Sequence, residues 1–161
     1  MKFPRTIRLD ASDVYVFPVA AEPGEWAVPG AFAFAERDPA AFDRKERLAF
    51  AGGWLGTASF GRSSLVEVAE IGEQEFFAVV ERLARHFVER YGAPDLAAAL
   101  PAARQEADYA AGLCQYKVHT FLAVERELSE QGVVERFRVI VPGRAKDHAK
   151  IWEIVADEED V

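Results

Sequence analysis

Apolar residues recur along this chain with two different periods. Phe76, Val80, Leu83, Phe87 and Tyr91 step by four, three, four and four, and Phe77, Ala84 and Val88 widen the stripe. Spacing near 3.6 places them on one side of an α-helix, so Glu73 to Tyr91 is predicted to be an amphipathic helix ended by Gly92. His119 to Leu128 and Val133 to Val141 alternate apolar and polar instead, as strands do, and Ser129-Glu130-Gln131-Gly132 between them supplies a turn. In that hairpin Glu125 and Glu127 share one face, Arg126 takes the other, and Arg136 and Arg138 share a face of the partner strand, which predicts cross-strand ion pairs. Leu65 to Ile71 alternates as a further strand.

The first third also reads as strands. Arg5 to Leu9 and Val14 to Phe17 flank Asp10-Ala11-Ser12-Asp13, whose short polar side chains suit a tight turn, so a hairpin is predicted. Trp26, Val28, Phe32 and Phe34 fall on one parity and predict a third strand, bent at Pro29-Gly30. Asp38-Pro39 reads as the N-cap and first position of a short helix reaching Phe50. Ala93-Pro94-Asp95 opens a second helical region, in which Pro101 is expected to start a new helix, because an internal proline costs about 3 kcal/mol. Ala103, Ala107, Ala110 and Cys114 form a stripe of small side chains that lets another element approach closely. Residues 144–161 read as a last strand or helix with a frayed acidic tail. Strands in groups, hairpin turns and grouped helices predict an α+β fold: a single domain over residues 1–161 with an antiparallel sheet and two long helices packed on one face.

Composition narrows the function. The 161 residues are half hydrophobic, enough for one sizeable core, and 27 acidic against 19 basic residues give a net charge of −8. That charge argues against a nucleic-acid surface or an anionic-membrane partner. No apolar run reaches the roughly 20 residues of a membrane helix, and the first residues lack a secretion-signal core. Cys114 is the only cysteine, which fits a reducing compartment. A cytoplasmic protein is expected, with no cofactor, and the three histidines show no metal-ligand spacing.

The segment Gly52 to Ser64 approaches a phosphate-binding loop. From Gly56 it runs glycine, four residues, Gly61, then Arg62 and Ser63, where a P-loop has glycine, lysine and a hydroxyl residue. The flanks disagree, since an extended stretch follows instead of a helix. Two readings stay open. One is an anion-binding site made by Trp54, Ser59, Gly61, Arg62, Ser63 and Ser64, with Arg62 as a clamp. The other is a glycine-mediated bend between a helix and a strand with Arg62 exposed. Cys114 and His119 are close in sequence but lack a third group to activate a thiol, so Cys114 is expected in the core. His86 is expected on a solvated helix flank. Trp26, Trp54 and Trp152 read as core plugs or as pocket walls.

At Phe3 to Asp10, Gly24 to Val28 and Gly53 to Ser63 the chain resembles a family of short bacterial proteins of unknown function, over most of its length. That resemblance implies no activity, substrate or site residue. The expected function is therefore a non-enzymatic accessory protein that binds a protein partner or its own copy, with Trp54 and Trp152 as interface anchors. The alternative is a small enzyme or ligand binder that holds an anionic small molecule at Arg62.

Overall fold

The computed structural model describes residues 1–142 and the backbone of 152–155. Its largest sheet is antiparallel, with strand order β1-β5-β6-β7-β8: β1 is Lys2–Ile7, β5 Leu65–Glu70, β6 Phe121–Ser129, β7 Gly132–Pro142 and β8 Trp152–Val155. A smaller antiparallel sheet joins β2 (Ala27–Val28), β3 (Trp54–Gly56) and β4 (Arg62–Ser63). The α+β architecture is as the sequence predicts, with the strands divided between two sheets.

The two long helices are α3 (Glu73–Arg90) and α4 (Leu96–Gly112). Helix α3 buries Phe76, Val80, Leu83, Ala84 and Phe87 and stops at Gly92, whose φ of 79° suits glycine. Helix α4 starts on Asp95, whose carboxylate accepts from the Ala98 N–H at 2.8 Å. Ala103, Ala107 and Ala110 are fully buried against α3, as small side chains permit. The small sheet lies between two cores. Its Val28 and Leu55 join the core of α3 and α4, while Ala27 and Trp54 pack with Val66, Val68, Leu122, Val124 and Phe137 of the large sheet.

The β6–β7 hairpin turns at Glu130-Gln131, and its predicted ion pairs form diagonally: Arg138 with Glu125 at 2.9 Å and Arg136 with Glu127 at 3.2 Å. Asp38 caps a short 3₁₀ turn at Pro39–Ala41, and the helix that follows, α2 (Arg44–Gly52), takes its own capping box from Asp43 and Glu46.

Four expectations are corrected. No hairpin forms at the N-terminus: β1 pairs with β5, and Ser12–Val16 is a helical turn, α1. Its Asp13 is buried and accepts from the Ser64 hydroxyl at 2.7 Å, while Phe17 packs with Phe34, Phe42 and Ala49. The strand predicted from Trp26 to Phe34 ends at Val28, because Gly30 is left-handed at φ 75° and Ala31–Phe34 is a 3₁₀ turn. Its phenylalanines are covered by aromatic neighbours rather than by a sheet. Pro101 lies inside α4, six residues after the cap, where its missing N–H leaves only the exposed Ala97 carbonyl without a helical partner. Arg62 is buried, 6% exposed, and the glycine-rich segment contains the β3–β4 hairpin. Of residues 144–161, only Trp152–Val155 is described; the predicted frayed tail lies outside the described residues.

Candidate functional site

The turn between β3 and β4 is built around a carboxylate of the protein itself. Glu25 accepts from the N–H groups of Ala58 (3.1 Å) and Ser59 (2.8 Å), from the Ser59 hydroxyl (2.6 Å) and from the Glu22 N–H (2.7 Å). Burial pushes the Glu25 carboxyl up, but these four donors outweigh it and hold its pKa below the usual glutamate value. The nest that resembles a phosphate loop is filled by Glu25. Its glycines are explained by close approach: a Cβ on Gly56 would collide with the Glu25 carboxylate, and one on Gly61 with the Ala20 backbone.

Ser63 donates to the carbonyls of Ile7 and Leu65, and Ser64 to Asp13. Trp54 is fully buried, its ring 5.5 Å from Phe137, and presents no surface. The Trp152 backbone pairs in β8, and its side chain lies outside the described residues. Arg62 alone of the set is both ionised and at the wall of an open cleft.

Two buried arginines meet there. Arg62 donates Nη1 to the carbonyls of Gly53 (3.0 Å) and Pro29 (3.3 Å) and Nη2 to Gly30 (3.1 Å). Arg126, from β6, binds the same Gly53 carbonyl at 3.0 Å and the Pro29 carbonyl, as well as Phe50 at 2.9 Å. Their charges are balanced differently. Arg126 has a carboxylate, Glu135, at 2.6 Å. Arg62 has no ion pair among the described residues; its charge rests on the Phe34 ring, 4.7 Å away. Burial and then the like charge of Arg126 pull the Arg62 guanidinium down to about 9, so it stays protonated at neutral pH. Of its five N–H donors, three are used by carbonyls, leaving Nε and one Nη2 hydrogen without an acceptor among the described residues.

Arg62 borders a cleft of ≈ 710 Å³, within the size range of small-molecule sites. Phe32 and Ala33 contribute one side, Ser59 and Phe60 of the β3–β4 turn another, and His86, Arg90 and Tyr91 from the end of α3 close it. Helix α3 is held to the turn by Arg82, which donates to the Thr57 carbonyl at 3.0 Å. Phe60 is in the left-handed region at φ 59°, a strained backbone for a bulky residue, and its ring stacks on His86 at 3.7 Å with 4° between the planes. His86 is therefore half-buried rather than solvated; burial and then Arg90 lower its pKa, which favours the neutral ring. Arg90 has no ion pair among the described residues, whereas Arg37, also at the cleft, is paired with Glu46. The sequence gives no local sign of this cleft, since its residues come from four separated segments.

Cys114 is in the core, where burial pushes its thiol up to about 12 and keeps it protonated. Among the described residues no group of three or more His, Cys, Asp and Glu side chains is placed to hold a metal, and no helix is long and apolar enough to cross a membrane.

The molecule is thus an α+β protein of two antiparallel sheets with an aromatic-lined cleft beside the smaller one; the charged lining of the cleft is Arg37, Arg62, Arg90 and one carboxylate, Glu36. The chain belongs to a family described as a family of unknown function (DUF6505), whose model matches residues 1–156. No curated protein and no solved structure matches it.

Proposed function

We propose that this is a non-enzymatic cytoplasmic binding protein whose cleft takes an anionic small molecule on Arg62 and Arg90. The observation that carries the reading is a buried guanidinium that, among the described residues, has no carboxylate partner and two donors to spare at the wall of an open cleft. An uncompensated buried charge is destabilising in itself, so its presence is best accounted for by a ligand that neutralises it. The anion would bridge Arg62 at the floor and Arg90 at the rim. The segment that looks like a phosphate loop does not bind this anion, because Glu25 fills it; the loop instead fixes Phe60 and Arg62 in place.

Native mass spectrometry of the protein purified gently from its own host tests this. The expected result is a 17.9 kDa chain carrying the mass of an acidic small molecule, which is lost in Arg62→Met and weakened in Arg90→Gln. A bare chain, or a mass retained equally by both variants, would contradict it. A retained partner chain or a dimer without small-molecule mass would favour an interaction protein instead.

A further inference from the structure

We infer that the anion is carried on a flat aromatic ring system, so that the cleft selects an aromatic carboxylate or phosphate ester over a compact oxyanion or an aliphatic acid; this rests on the anion reading of the same cleft. Four aromatic side chains, Phe32, Phe60, His86 and Tyr91, line one cavity together with the cations. They also touch one another: Phe32 and Tyr91 are 5.4 Å apart and edge-on, and His86 and Tyr91 are 5.4 Å apart at 63°. A phosphate or sulfate ion needs only the donors of Arg62 and Arg90, and it would make no contact that calls for this aromatic wall. An aliphatic chain calls for branched aliphatic walls, of which the cleft supplies, among the described residues, only Val19 and Leu55.

The backbone strain at Phe60 points the same way. A left-handed phenylalanine persists only where the surroundings over-determine it, and here the result is a ring held parallel to His86 at the cleft. Rings in edge-on and stacked sets of this kind accept a further ring with favourable quadrupole contacts. The ≈ 710 Å³ volume accommodates two fused rings with an anionic arm directed at Arg62.

The test is calorimetric titration with three probes: 2-naphthoate, its saturated counterpart decahydro-2-naphthoate, and inorganic phosphate. Naphthoate is expected to bind at least about tenfold more tightly than either of the others. Phe60→Leu and Tyr91→Leu, which keep apolar bulk but remove a ring, are each expected to erase most of that preference, and Arg62→Met to abolish binding. A folding defect in one of the two ring variants leaves the other informative. If the saturated acid or phosphate binds as tightly as naphthoate, with the same dependence on Arg62, the ring inference is overturned and the anion reading survives. If no probe binds in an Arg62-dependent way, both are overturned.

Discussion

Arg62 and Arg126 look equivalent as buried arginines, yet the structure gives them opposite energetic roles. Removing Arg126 would leave Glu135, whose side chain is 14% exposed, without its cation, and would take the Arg126 donor from the Phe50 carbonyl. Arg126→Met is therefore expected to lose about 3–5 kcal/mol of stability, seen as a large drop in the denaturant midpoint. Removing Arg62 orphans no carboxylate. The Gly53 and Pro29 carbonyls keep Arg126, the Gly30 carbonyl keeps the Ala33 N–H at 3.4 Å, and a like-charge repulsion disappears. Arg62→Met should fall within about 1.5 kcal/mol of the parent in the same experiment. A loss as large as that of Arg126→Met would make Arg62 a structural residue and remove the motive for a ligand.

Helix α4 shows how far element-level patterns carry. Its small stripe was legible because Ala103, Ala107 and Ala110 repeat at helical spacing, and Ala107→Leu, placed against α3 with no room, is expected to cost about 1–3 kcal/mol by thermal denaturation. Its continuity through Pro101 was not legible, because the rule against internal proline takes no account of an exposed turn whose Ala97 carbonyl faces water. Pro101→Ala restores that bond and is expected to stabilise by about 1–2 kcal/mol. Helix α3 and the β6–β7 hairpin were legible for the same reason as the stripe: their periods hold over many residues, and the hairpin register placed Glu125 and Glu127 within reach of Arg138 and Arg136. Val14–Phe17 and Phe32–Phe34 were misread because two or three apolar residues on one parity fit a helical turn equally well. Partners distant in sequence, Ser64 for Asp13 and Tyr91 for Phe32, decide those segments.

At the scale of the whole molecule, the small sheet is the joint between the two cores, and the Glu25 plug ties together its strands and the wall of the cleft. The candidate site was only partly legible: Arg62 stood out in the chain, but Glu25, Phe32, His86 and Arg90 are joined to it only by the fold. The plug also sets a pH dependence. Glu25 and Glu67 are both held below their ordinary value of 4.5, against the opposing effect of burial, by the donors that surround them. Their stabilisation is present above that value and is lost as pH falls through the depressed folded-state values. Melting temperature should decline gently as pH falls below about 6.5, where the lowered His86 pKa makes protonation favour the unfolded chain, and then steeply below about 4.5 as Glu25 and Glu67 protonate, with Glu25→Gln less stable at neutral pH and less sensitive to acid. An acid-limb slope unchanged by that substitution would count against the plug.

Whether the Arg62 guanidinium is the anion receptor is checked most directly by following its own Nε–H signal by nitrogen-15 NMR while 2-naphthoate is added. A saturable shift of the Arg62 Nε–H and Nη resonances is expected, accompanied by Arg90, with Arg126 nearly unmoved. Shifts confined to exposed arginines such as Arg85 and Arg104, with Arg62 silent at saturation, would contradict it.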